Sequence, residues 1–202
     1  MRYSLVVISA VAIAACAGSP APPDVPPSDV SGFPALTDGP YATHVARGSF
    51  PAPPSDIRPW IDADSRFLYA LPDVGDIARP VDFEVIAGEW PEEGAVRRLE
   101  FSDGHFALER IVENDLPGRF TYQVWDFTSA TADNVSYIYG IQELVPSVEG
   151  GSDFTWTYNL KPNAGWKRGL VQRFVNKNIQ PFLDGSVATV EADAEIAFAK
   201  AP

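Results

Sequence analysis

Past residue 40, apolar and polar side chains alternate with a period of two over most of the chain, and turn signals close each run. The alternation predicts strands at Tyr41 to Phe50, Val81 to Trp90, Ala95 to Ser102, His105 to Asn114, Arg119 to Thr128, Val135 to Val145 and Phe154 to Lys161. Pro51-Ala52-Pro53-Pro54 stops the first run, and Ser55 to Leu71 reads as one or two short helices with Ser55 and Asp64 as N-caps. Asp103-Gly104 predicts a tight hairpin, because glycine tolerates the positive φ that such a turn requires. Short connections of this kind make the later strands an antiparallel meander.

From Asn163 the period lengthens. Leu170, Val171, Phe174, Phe182, Leu183 and Val187 fall on one broad stripe at helical spacing, which continues through Val190 and Ala194. Pro181 lies inside this stripe and, lacking an amide hydrogen, is expected to bend the helix or split it. The pattern as a whole predicts an α+β domain over residues 41–202, a curled antiparallel sheet of about seven strands wrapped around a long C-terminal helix.

The first 40 residues follow neither period. Arg2 precedes an apolar run, Leu5 to Ala15, that is shorter than the ~20 residues a membrane span needs. It ends in Ile13-Ala14-Ala15-Cys16, a tetrapeptide that resembles the lipobox of bacterial lipoproteins. Residues 1–15 therefore read as a leader and Cys16 as the site of lipid attachment. Two acyl chains, at ~0.8 kcal/mol per buried methylene, make a stable anchor. By resemblance to bacterial sorting, Ala17 after the cysteine favours the outer membrane of the cell envelope, facing the periplasm. Residues 16–40 carry five prolines between Pro20 and Pro27 and few large apolar side chains, which predicts a disordered, polyproline-like tether. At ~3.1 Å per residue such a tether reaches about 70 Å.

Composition narrows the chemistry. Cys16 is the single cysteine, so a lipidated chain has no thiol left for disulfides, nucleophilic catalysis or metal ligation. The formal charge of −12 falls to about −13 when Arg2 leaves with the leader, which argues against nucleic acid and against electrostatic docking on anionic lipid.

Gly94-Ala95-Val96-Arg97-Arg98-Leu99, a hairpin, then Leu108-Glu109-Arg110-Ile111 with Asp115 beyond, resembles the central signature of the polyketide-cyclase and START-related superfamily (SRPBCC, Bet v 1-like). Tyr137 to Pro146, Thr155-Trp156-Thr157 and Pro181 support the resemblance, which spans Tyr41 to Phe198. The segment Pro51 to Pro80 departs from the family's first helix pair. The resemblance implies the helix-grip fold, with a cavity between sheet and helix for hydrophobic or amphipathic ligands.

Strand parity places Arg97 inward with Leu99 and Phe101, and the resemblance places Glu109 inward on the neighbouring strand. The two are expected to pair, since either charge alone is very unfavourable in a low-dielectric interior. The pair is either a structural ion pair or a polar anchor for one end of a ligand. Tyr122, Tyr137, Tyr139, Trp156 and Tyr158 are candidate lining residues with polar handles, and Phe174 and Phe182 form the opposite wall.

Of the two histidines, His44 lies in the first strand and His105 reads as an exposed turn residue; neither has metal-site spacing. No catalytic group, metal or cofactor is assigned. Three readings follow: a membrane-tethered binding or carrier protein for a lipid, sterol-like or aromatic molecule; a cyclase, dehydratase or hydrolase using the same pocket, with Glu109 as base; or a structural lipoprotein with a filled core. The oligomeric state is left open.

Overall fold

A computed structural model describes residues 20–148 and 150–199; the leader and Cys16 lie outside the described residues. Seven strands form one antiparallel sheet: β1 (Ala42–Phe50), β2 (Pro80–Ala87), β3 (Val96–Phe101), β4 (Phe106–Asp115), β5 (Arg119–Trp125), β6 (Val135–Pro146) and β7 (Ser152–Pro162). Their order is β1-β7-β6-β5-β4-β3-β2, so the meander runs in sequence order and β1 closes onto β7. Two short helices, α1 (Pro54–Ala63) and α2 (Arg66–Tyr69), follow β1. The chain ends in α3 (Arg168–Phe174), a π-helical turn at Val175–Ile179 and α4 (Gln180–Ala197). This is the helix-grip arrangement that the alternation and the resemblance predict.

Local chemistry explains the helices. Ile57 and Ile61 are buried one turn apart on α1, whose start is set by proline rather than by a side-chain cap. Ser65, not Asp64, precedes α2, and its side chain caps nothing. Phe67 of α2 stacks on Phe154 at 4.6 Å, and its carbonyl accepts a hydrogen bond from Ser186 Oγ at 2.9 Å, which ties α2 to α4. Pro181 stands in the first turn of α4. The π turn directly before it inserts extra backbone and shifts the apolar phase between the two helices. Consequently Val171 and Val175 are buried, whereas Leu170, expected on the inward stripe, is exposed.

Gly48 lets α4 lie against β1, because a Cβ there would stand 2.6 Å from Val187 Cγ1. Among the described residues no helix is long and apolar enough to cross a membrane.

Residues 20–40 do not stand free as a tether. They cross the convex face of the sheet as a strap. Phe33 meets Trp125 edge-on at 6.2 Å and lies under the Arg110 guanidinium at 3.7 Å. Gln123 Nε2 donates to the Pro34 carbonyl at 2.8 Å, and the Thr37 amide donates to Tyr137 Oη at 3.1 Å. Val30, Leu36 and Tyr41 pack on a second apolar cluster of Val96, Leu108, Trp125 and Tyr137. The cause is that the convex face carries large apolar side chains, which the strap covers; a proline-rich segment suits this role because little conformational entropy is lost on docking it.

Replacing Phe33 with Ala removes the edge contact and the cation–π contact and is expected to destabilise the fold by about 1 kcal/mol. Urea denaturation measures the loss, and limited proteolysis should show cleavage within residues 20–40 in the variant before it appears in the wild type.

Candidate ligand-binding cavity

The concave face is built by alternation. On β3, Arg97, Leu99 and Phe101 line the interior; on β5, Phe120, Tyr122 and Val124; on β7, Trp156, Tyr158 and Leu160. Helices supply Arg58, Ile61, Phe67, Phe174, Ile179 and Phe182. These groups enclose a cavity of about 370 Å³, within the ~300–1,000 Å³ range of small-molecule sites. Its mouth is bordered by the loop Asp76–Ala78, the β3–β4 hairpin at Asp103 and the β5–β6 connection from Phe127 to Ala132.

Arg97 and Glu109 face each other across β3 and β4. Arg97 Nε donates to Glu109 Oε2 at 2.5 Å, and both side chains are buried. The guanidinium also lies over the Trp90 ring at 4.0 Å and the Phe83 ring at 4.9 Å. Among the described residues this is the one side-chain hydrogen bond that Arg97 makes, so its two terminal amino groups retain donors.

The inward aromatic residues form a connected group. Trp156 Nε1 donates to Tyr122 Oη at 2.7 Å, and the Tyr122 and Tyr158 rings lie 6.3 Å apart. The Tyr122 ring lies across Gly140, where any Cβ would come within 2.2 Å of Cζ, so glycine is required at that position of β6. Burial, followed by the charges of Tyr158 and Glu109, raises the Tyr122 hydroxyl well above the ordinary phenol range. Burial and then Glu109 raise Tyr158 likewise. Both remain neutral donors throughout the physiological range.

Seven of the sequence candidates, Arg97, Glu109, Tyr122, Trp156, Tyr158, Phe174 and Phe182, therefore meet around one cavity. Tyr137 and Tyr139 do not. They alternate with the inward Ile138, Gly140 and Gln142 on β6 and belong to the convex cluster beneath the strap. Their aromatic character reflects cover by the strap rather than by a ligand: Tyr137 Oη lies 2.9 Å from Tyr41 Oη. His105 corrects a second expectation. It is buried beside the mouth, with Nδ1 3.0 Å from Thr128 Oγ1, because the hairpin folds back over the β5–β6 connection. His44 pairs with Asp184 of α4 at 2.7 Å.

Sequence reasoning missed Arg58, which reaches the cavity from α1. Its Nε donates to Asp62 at 2.9 Å and its Nη1 to Gln142 at 3.0 Å, and its guanidinium lies over Phe120 at 5.1 Å. An i, i+4 Arg–Asp pair beside Ile57 and Ile61 was the available signal. Among the described residues no group of three His, Cys, Asp or Glu is placed to hold a metal ion.

Removing one member of the central pair strands the other charge. Glu109→Gln or Arg97→Met alone should lower stability by about 3–5 kcal/mol in urea denaturation, whereas the joint Arg97→Met and Glu109→Leu variant should fall close to wild type.

No protein-family model and no curated protein matches the chain. Solved structures do. Ara h 8.0201 aligns with a TM-score of 0.55 at 16% identity, covering 76% of this chain and 99% of its own. The Thermus thermophilus protein TTHA0849 gives 0.55 at 18%, and major latex-like protein 151 from Panax ginseng gives 0.56 at 14%; each covers 77% of this chain and 99% of its own. At such identities the likeness is one of fold, and it is the helix-grip fold of the Bet v 1-like proteins.

Proposed function

We propose that this chain is a lipid-anchored binding or carrier protein of the bacterial cell envelope, at the outer membrane and facing the periplasm, for an apolar or amphipathic small molecule. The observation that carries the reading is the cavity of about 370 Å³, mostly apolar, with a few convergent polar groups. A core without a ligand role has little use for two buried arginines, Arg58 and Arg97, on the wall of such a space. Arg97 keeps free donors beside its partner Glu109, which suits a ligand with a hydroxyl or carbonyl acceptor at one end and an aliphatic or aromatic body. Tyr122 and Tyr158, held neutral, add donors and acceptors without adding charge.

The lipobox supplies the anchor in this reading, and the strap alters its reach. Pro22 lies against Gly104 of the β3–β4 hairpin, where a Cβ would meet it at 3.2 Å. From Cys16 to Pro22 is six residues, roughly 20 Å of extended chain at about 3.3–3.6 Å each. The hairpin borders the cavity mouth, so an acyl group on Cys16 holds that mouth close to its membrane.

Native mass spectrometry of the protein incubated with an envelope lipid extract tests the proposal. The expected result is a discrete small-molecule adduct that disappears when Val124→Phe fills the cavity. Equal adduct formation by that variant, or none by the wild type, contradicts it.

A further inference from the structure

The segment from Asp153 to Asp184 contains no acidic residue between those two ends, although the chain as a whole is strongly acidic. It carries Lys161, Lys167, Arg168, Arg173 and Lys177, five of the chain's fifteen cationic residues. Among the described residues none of the five forms an ion pair with a carboxylate, so their charge is available to a partner. Between them stand Trp166, 82% exposed, and Leu170, 51% exposed. Trp166 in the 3-10 turn Gly165–Lys167, Leu170 and Arg173 on α3 and Lys177 in the π-helical turn are all exposed, which makes them one outward-facing stripe of the segment.

The stripe lies at the mouth end of the fold. Asn163, just before it, joins the Asp133 and Asn134 carbonyls at the close of the β5–β6 connection that borders the mouth. Phe174, one turn after Leu170 at the end of α3, is half-buried and lines the cavity itself. An exposed indole beside unpaired cations suits the interface of an anionic bilayer: the ring settles at headgroup depth, and each nearby Lys or Arg is attracted to the surface potential.

We propose that Trp166 and Leu170, flanked by Lys167, Arg168, Arg173 and Lys177, form a docking surface for an anionic phospholipid bilayer that sets the cavity mouth against the membrane. Docking itself does not require the acyl anchor; its use in loading the cavity rests on the binding function proposed above. Asp76 and Asp103 on the rim repel an anionic surface, so contact is made from the helix side of the mouth. The overall negative charge, which from composition alone argues against such docking, is carried elsewhere and orients the molecule.

Among the described residues every buried core residue lies between Ala42 and Ala194, so a chain of residues 16–202 with Cys16→Ser keeps the whole folded unit without a lipid. Its sedimentation with vesicles of phosphatidylcholine alone, and of phosphatidylcholine mixed with phosphatidylglycerol, reads docking directly. Binding is expected on the mixed vesicles and to weaken with salt. Trp166→Ala with Leu170→Ala, or Lys167→Glu with Arg173→Glu, should each reduce it about tenfold while circular dichroism stays unchanged. Equal binding by these variants, or no preference for phosphatidylglycerol, overturns the proposal. Binding of 1-anilinonaphthalene-8-sulfonate in solution is measured in parallel. If it fails, the cavity reading fails while the vesicle result still decides docking; if it is intact, loss of vesicle binding in the variants is assigned to the stripe.

Discussion

The seating of α4 against β1 determines most of what this fold can do. Gly48 brings the helix close to one margin of the sheet, and Val187 occupies the space that a side chain would need. Ser186 then ties the same helix to α2, and Phe67 stacks on Phe154 behind it. The sheet curls from this fixed margin, and the helix packs on β1 rather than on the far strands. The interior below β3, β4 and β5 is therefore left for side chains, and they do not fill it. Protein interiors are ordinarily packed to crystal density, so a space of this size is the feature on which the proposed binding function rests.

Polar groups inside that space have to satisfy one another. Arg97 and Glu109 do so by direct opposition across two strands, with Trp90 and Phe83 over the guanidinium. Trp156 and Tyr122 do so through a hydrogen bond that exists because Gly140 leaves room for the Tyr122 ring. Both arrangements fix orientation more than they add stability, since a buried pair roughly balances desolvation against attraction. What they leave over, the terminal donors of Arg97 and the second guanidinium at Arg58, gives an otherwise apolar wall its polar points.

Strand alternation made the sheet, its order and the inward parity of Arg97, Leu99 and Phe101 legible in the sequence. Parity alone does not say which side of β6 is the interior. Ile138, Gly140 and Gln142 face the cavity while the bulkier Tyr137 and Tyr139 face out, and the difference is made by a strap about a hundred residues away in the chain. Long-range cover of this sort has no local signal. The phase slip at Val175–Ile179 likewise removed Leu170 from the apolar stripe, although Pro181 announced a disturbance there. Net charge concealed the basic segment from Lys161 to Lys177 because it averages over the whole chain.

A strap on one face, with Pro22 against the β3–β4 hairpin, and a cavity on the other bring the strap's start, the cavity mouth and the exposed side chains around α3 to one end of the molecule. In the proposed function the cavity receives an amphipathic molecule with its polar end at Arg97. Crystals grown with a long-chain alcohol brominated at its far end test this most directly. Anomalous scattering should place the bromine among Phe174, Ile179 and Phe182, with the hydroxyl beside Arg97. A cavity closed by inward movement of those side chains, or bromine found only on the outer surface, would contradict it.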